Sequence, residues 1–357
     1  MSLNSSISEY YGGKSIFITG ATGFLGKILI EKLLYSCPDV GNIYILIREK
    51  KEMLPEVFNR VKADCPDNLK KIVVVKGDIT EFKLGLNSKD LHMLQEKVSI
   101  VFHFAATLKF NEPLSVAMKV NYEGTDEVLR VSNSMKNIEV FVYMSTIFSN
   151  TDHERSTVIE ELYPSPKHVD EVYKMILEND PNECFNPKLL GDRPNTYTFS
   201  KSMAENLVAD RRGALPTIII RPSVVTSCIN EPIQGWIANW MGPTPILTLF
   251  GKGLIRCLYG KSNYNFEIIP ADYVVNLTLI AVAKHDRSKE LKIYHSCSTA
   301  DNPLTIGDTS KFVAMESVKQ KFNRFLKNDL LAMDYFVLKE DDNTNITNWS
   351  LPVAWLT

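Results

Sequence analysis

The sequence has 357 residues, with 40 Lys plus Arg against 42 Asp plus Glu, and its formal net charge of -2 argues against broad electrostatic binding of nucleic acid. Hydrophobic residues make up 45% and charged residues 23%, the balance of a globular chain with room for about two domains rather than of a disordered one. The six cysteines, at 37, 65, 184, 228, 257 and 297, form no C-x-x-C pair or zinc-like spacing, so they read as reduced thiols of an intracellular protein and no metal site is expected.

The opening "MSLNSSISEYYGGKS" lacks a basic region followed by an apolar core, so no secretory signal is expected. No uninterrupted apolar run reaches the roughly 18 residues of a spanning helix. "KSIFITGATGFLGKILIEKLLYS" then passes from a short strand, Ser15 to Thr19, through a glycine turn into a helix carrying Ile28, Leu29, Leu33 and Leu34. Gly20, Gly23 and Gly26 follow a G-x-x-G-x-x-G pattern. Glycines there permit a tight turn and let a pyrophosphate approach the backbone at a helix N-terminus, which points to dinucleotide binding.

The second strand, "NIYILIREKK", ends in Arg48, with Lys50 and Lys51 close behind. A basic residue at this place suits a ribose 2′-phosphate, where an acidic one would grip the hydroxyls of NAD, so NADP(H) is preferred. Strands follow at "KIVVVKGDI", "VSIVFHFAA" and "IEVFVYMST", separated by helical segments around Ser88 to Glu96 and Pro113 to Met135. Alternating β and α segments predict a doubly wound parallel sheet covered on both faces, an α/β fold of Rossmann type. Asp78, just past the third strand, either contacts an adenine or caps the next turn. Ala105 and Ala106 close the fourth strand with small side chains where a cofactor would pass.

Ser145 and Thr146 put hydroxyls at the carboxyl end of the fifth strand, the edge at which open α/β sheets bind ligands. About fifty residues on, "TYTFSKSMAEN" sets Tyr197 and Lys201 one helical turn apart on one face. An ammonium beside a phenol is expected to stabilise the phenolate and lower a reference pKa of about 10. A hydroxyl to hold a carbonyl, a phenol to protonate it and an ammonium to tune the phenol form a set for hydride transfer to a carbonyl. Farther on, "LPTIIIRPSVVTSCI" reads as a buried strand with its exit loop.

With these motifs the chain resembles the extended short-chain dehydrogenase/reductase superfamily. "IVFHFAATLKFNEPL", "LLGDRPNTYTFSKSMAENLV", "IIIRPSVV", "EPIQGWIANWMGP" and "PADYVVN" narrow the resemblance to the fatty acyl-CoA reductases of eukaryotic, insect-like type, from about Lys14 to about Thr305. The resemblance implies NADPH-dependent reduction of a long-chain fatty acyl-CoA to the aldehyde and then the alcohol, with CoA released. It implies Tyr197 as general acid, Lys201 as its tuner and Thr146 or Ser145 as the hydroxyl partner, with Thr146 preferred. The cofactor set it implies comprises Thr19, Gly20, Thr22, Gly23, Phe24, Leu25, Gly26, Arg48, Asp78, Ile79, Ala105, Ala106, Asn121 and Pro222, together with Tyr197 and Lys201. Asn121 matches a position that holds a bridging water in related reductases; the plainer alternative is a helix residue satisfied by backbone.

Residues 1–225 are therefore expected to form the NADP-binding domain and 226–310 a smaller acyl-binding subdomain, with an atypical helical tail over 311–357. Trp236, Trp240, Met241, Ile246, Leu247 and Phe250 are candidates for an acyl trough, or for the core of the smaller unit. In the tail, Phe312, Met315, Phe322, Phe325, Leu326 and Leu330 recur at roughly helical spacing, which predicts a packing helix in preference to one lying on a membrane. The expected location is cytoplasmic, or peripheral on endoplasmic reticulum or peroxisome. Two alternatives stand beside the reductase: an extended short-chain reductase acting on another substrate, and a non-catalytic paralogue that binds acyl-CoA or NADPH.

Overall fold

The computed structural model describes residues 6–48, 56–150, 157–178, 190–252, 254–255, 257–259, 261–298, 302–319 and 337–339. Among these, seven parallel strands form the central sheet: β1 Ser15–Thr19, β2 Ile43–Ile47, β3 Ile72–Lys76, β4 Val98–His103, β5 Val140–Met144, β6 Thr217–Pro222 and β7 Leu291–Ser296. Their order across the sheet is β7-β6-β5-β4-β1-β2-β3. The chain thus winds outward in both directions from the β1/β4 pair, where Ile18 lies beside Phe102 and Thr19 beside His103. At such a switch point the connections leave to opposite sides and open a crevice at the carboxyl ends of the strands.

The strands are short apolar runs because helices cover both faces of the sheet and leave few positions for water. Ile16, Phe17 and Ile18 of β1 and Ile218, Ile219 and Ile220 of β6 are fully buried. The pattern relaxes at the two edge strands, where Val74 of β3 is exposed and most of β7 is half-buried. Helices α1 Phe24–Ser36, α2 Ser88–Lys97, α3 Gly124–Asn133 and α4 Thr196–Arg211 belong to the sheet unit. The helical segment expected over 113–135 is continuous but not uniform: an α-helical turn at Leu114–Ala117 passes through a π-helical stretch, Met118–Glu123, before α3 begins.

Beyond β6 come a two-stranded ladder of Val224–Thr226 with Ile268–Pro270, and helices α5 Pro243–Gly251, α6 Ala271–Ala283 and α7 Ile306–Lys319. β7 pairs with β6 along its whole length although it lies within 226–310, so this segment lends the central sheet its outermost strand. Asp272 at the start of α6 accepts from the main-chain N–H groups of Ile229 and Asn230 at 3.1 and 3.0 Å. Arg60 bridges Glu31 of α1 and Glu231, reaching the latter at 2.8 Å. Those contacts fasten the 229–236 loop to the sheet unit.

Trp236 belongs to this junction and not to an open trough: it is buried, its ring stands 5.5 Å from that of Phe24, and its Nε1 donates to Glu56 at 3.1 Å. Trp240 and Met241 are exposed, while Ile246, Leu247 and Phe250 of α5 are half-buried. α7 packs on α5 and leaves Phe312 and Met315 exposed. Phe322, Phe325, Leu326 and Leu330, like Lys50 and Lys51, lie outside the described residues. Among the described residues no helix is long and apolar enough to cross a membrane.

Candidate active site

The glycine turn leaves β1 at the switch point. Gly20 has φ +73°, and a Cβ there would stand 2.6 Å from the main-chain N of Ala105. A Cβ on Gly26 would stand 2.3 Å from the oxygen of Gly20. Both positions are closed to any side chain, the first by conformation and contact, the second by the close seating of α1 on the turn. Gly23 is exposed and caps α1 without a side-chain hydrogen bond, so the first N–H groups of the helix face outward uncapped by protein. Thr22 and Leu25 are half-buried beside them. A bare, cation-free turn lined by amide hydrogens fits the pyrophosphate of a dinucleotide.

The neighbouring strand ends complete this edge. Thr19 Oγ1 meets His103 Nδ1 at 2.7 Å and accepts from Ala105 N at 3.3 Å; His103 Nε2 meets Thr125 Oγ1 at 3.0 Å. Burial pushes the pKa of His103 down to about 3, and the charge of Lys201 adds to that push. A neutral imidazole therefore braces β1 and β4 against α3, a role for His103 not foreseen from the sequence. Arg48 follows β2 with its side chain largely in solvent, its Nε 4.0 Å from Asp78. Asp78 caps its own turn, accepting from the N–H and hydroxyl of Thr80, both at 2.9 Å. Ile79 is buried against Gly124.

Asn121 sits in the π-helical stretch, a geometry that often marks functional sites. Its side chain is satisfied within the protein: Thr107 N donates to Oδ1 at 2.9 Å, and Nδ2 donates to Thr107 O at 3.2 Å and Ser200 Oγ at 3.0 Å. The bond to Ser200 also ties the stretch to α4.

Asn195 caps α4, its side chain accepting from Thr198 N at 2.9 Å, and the helix then carries Tyr197 and Lys201. Lys201 is buried; its Nζ donates to the main-chain oxygen of Met144 at 2.6 Å and stands 4.0 Å from the centre of the Tyr143 ring. Burial pushes its pKa down to about 7, with Glu205 opposing. Tyr197 is half-buried with the Phe110 ring 5.7 Å away. Desolvation pushes its phenol up to about 12, against the lowering effect of a hydrogen bond from Thr146. The depression expected from Lys201 is not found: its ammonium is directed at Met144, the lowering comes from Thr146, and enclosure of the phenol dominates.

The two candidate hydroxyls part company. Ser145 Oγ donates to Glu205, whereas Thr146 Oγ1 has long bonds to Pro222 O at 3.4 Å and from Phe148 N at 3.3 Å and lies against the Tyr197 phenol. Thr146, Tyr197 and Lys201 therefore gather at the carboxyl ends of β5 and β6, the same edge of the sheet at which the glycine turn leaves β1. Sequence reasoning missed Glu205 and its partner Arg221, although a charged residue inside the apolar run of β6 was a signal that a buried carboxylate must be near.

A family of NAD-binding domains described as male sterility protein matches residues 18–278. Fatty acyl-CoA reductase 1 of Pongo abelii is 37% identical over 326 residues, 86% of this chain and 62% of the relative. Fatty acyl-CoA reductase 2 of Bos taurus is 35% identical over 335 residues, 90% of this chain and 64% of the relative. The chain therefore spans about three fifths of the length of these relatives. Among solved structures, the terminal R domain from the myxalamid PKS-NRPS biosynthetic pathway is 26% identical with a TM-score of 0.60, covering 86% of this chain and 70% of that one. UDP-glucuronic acid 4-epimerase of Bacillus cereus, solved with NAD, has a TM-score of 0.58 at 16% identity over 91% of this chain and 86% of its own, a likeness of fold.

Proposed function

The chain belongs to the male sterility protein family of extended short-chain reductases, and on that premise we propose that it reduces long-chain fatty acyl-CoA to the aldehyde and then the primary alcohol, using NADPH. The observation that carries the reading is the meeting of Thr146 and Tyr197 hydroxyls beside a buried Lys201 at the ligand edge of the sheet. Gly20, Gly23 and Gly26 would hold the pyrophosphate of a nicotinamide dinucleotide, and the reduced cofactor would supply one hydride in each of the two stages, a fresh molecule for the second. Arg48 supports NADPH over NADH because an exposed guanidinium at the end of β2 suits a 2′-phosphate, and Asp78 is only loosely engaged with it at 4.0 Å.

Tyr197 acts as the acid. A phenol whose pKa is near 12 keeps its proton at neutral pH, so its Oη donates to a carbonyl oxygen that enters the site and yields that proton as an alkoxide forms. Thr146 makes the second donor to the same oxygen, stabilising charge that develops there. Lys201 offers an ammonium within the same enclosure for a ribose hydroxyl or for the phenol's polarisation. In the thioester stage the oxyanion held by Thr146 and Tyr197 collapses with loss of CoA thiolate; in the aldehyde stage Tyr197 completes the alcohol. The half-buried residues of α5 and the exposed Trp240 and Met241 provide apolar surface for the acyl chain.

The test is consumption of NADPH, with NADH in parallel, by the purified chain given acyl-CoAs of graded length, and identification of the extracted products. Alcohol formation dependent on NADPH is the expected result. A protein that binds the dinucleotide yet turns over no acyl-CoA of any length would overturn the reading.

A further inference from the structure

Glu205 lies one turn beyond Lys201 and two beyond Tyr197 on α4, and only 1% of it is exposed. A carboxylate taken so far from water needs strong partners. Arg221 Nη2 reaches Oε2 at 2.8 Å and Arg221 Nε reaches Oε1 at 3.0 Å. That pair alone would neutralise the charge. Two more bonds are made nevertheless: Ser149 Oγ donates to Oε1 at 3.1 Å, and Ser145 Oγ donates to the same oxygen. These serines bracket Thr146, one residue before it and three after. A single oxygen on the helix of Tyr197 and Lys201 therefore holds both ends of the turn that carries the hydroxyl partner. A second tie runs in parallel, since Arg193 Nη2 donates to Ser149 O at 3.4 Å and to Ser202 Oγ at 3.1 Å.

We propose that Glu205, backed by Arg221, is a positioning residue of the reductive site: through Ser145 and Ser149 it fixes the 145–149 turn against α4, so that Thr146 presents its hydroxyl to Tyr197. The proposal rests on the reductase reading above. It assigns Glu205 no contact with substrate; the carboxylate acts through the two serines. Ser145 is committed to this bond and so does not serve as the hydroxyl that meets the carbonyl. An ordinary buried ion pair would behave differently, since its loss would lower stability and leave the turnover of the surviving folded protein unchanged.

Glu205→Gln strands the Arg221 charge and is liable to unfold the chain, so the deciding variant is Ser145→Ala/Ser149→Ala, which keeps the ion pair and removes only its ties to the turn. A fluorotyrosine at position 197 of the full chain reports the surroundings of the phenol by fluorine NMR, whether or not substrate is turned over. The double variant is expected to stay folded and to bind NADPH as the parent does, but to move the 197 resonance. It is also expected to lower kcat at least about tenfold with KM held within about threefold. Each single serine variant falls between, and Ser145→Thr, which restores a hydroxyl, recovers part of the loss. A folded double variant with the parent's resonance and kcat would overturn the proposal. If the parent reduces no acyl thioester while the double variant still moves the 197 resonance, the reductase reading fails and the positioning by Glu205 stands.

Discussion

Lys201 gives its ammonium to the main-chain oxygen of Met144 at 2.6 Å, at the point where β5 ends and the Ser145–Thr146 turn begins. That single bond joins the helix of the phenol to the strand of the hydroxyl. It also holds a charge in a place that disfavours it, for burial lowers the Lys201 pKa from 10.5 to about 7. Below pH 7 the lysine is protonated in both folded and unfolded chains, and the folded state bears the full cost of the buried charge. Between about 7 and 10.5 the unfolded chain binds the extra proton, so this group's contribution to stability rises with pH. Lys201→Met should therefore gain thermal stability relative to the parent at pH 6, with the difference shrinking towards pH 10. Melting curves of both proteins across that range check the sign.

Tyr197→Phe removes the proposed proton donor and leaves the Lys201 bond to Met144 in place. Loss of a general acid of this kind lowers turnover by about 10² to 10⁴-fold. Dinucleotide affinity should change little. Thr146→Ala should also lower kcat, by removing one donor to the developing oxyanion. Steady-state kinetics beside a fluorescence titration of NADPH separate chemistry from binding, and a Tyr197→Phe protein with parental kcat would contradict the assignment.

Arg48 stands in solvent just past the end of β2, 4.0 Å from Asp78. An exposed guanidinium of this kind discriminates cofactors by charge. Arg48→Ala should raise KM for NADPH by about tenfold, the worth of one charge-assisted phosphate contact, and leave KM for NADH nearly unchanged. Parallel titrations with the two cofactors give the ratio directly. An unchanged ratio would assign the preference to residues other than Arg48.

Much of this architecture could be read in the chain because its signals were local. The glycine turn between a β run and a helical period, the one-turn spacing of Tyr197 and Lys201, and the apolar strands each announce themselves within about a dozen residues. What escaped depends on partners distant in sequence. Arg221 inside an apolar strand demanded a carboxylate, yet with 42 Asp plus Glu available nothing local singled out Glu205, sixteen residues before it. Trp236 was a candidate for trough lining or for the core of the smaller unit, and neither reading named Phe24 and Glu56, more than 170 residues earlier, which draw it into the junction. Between the adjacent hydroxyls Ser145 and Thr146 the sequence offered a preference for Thr146 but no ground to settle it, and the packing turns the first to Glu205 and the second to Tyr197.

His103 offers a separate test of the switch point. It is 1% exposed, held between Thr19 and Thr125, and burial lowers its pKa from 6.5 to about 3. Above pH 6.5 the imidazole is neutral whether the chain is folded or not, and the group adds no pH dependence. Below that the unfolded chain takes up a proton that the folded one refuses. Stability should then fall by about 1.4 kcal/mol per pH unit from this residue alone, down to about pH 3. His103→Gln keeps a donor and an acceptor between the two threonines but cannot titrate. Relative to the parent, it should lose about 1 to 2 kcal/mol at pH 7 from imperfect hydrogen bonding, then overtake it as the pH drops below about 5. Urea unfolding at a series of acid pH values measures the crossing. Parallel curves for the two proteins would mean that His103 becomes charged in the folded state, and that Thr19 and Thr125 yield to admit the extra proton.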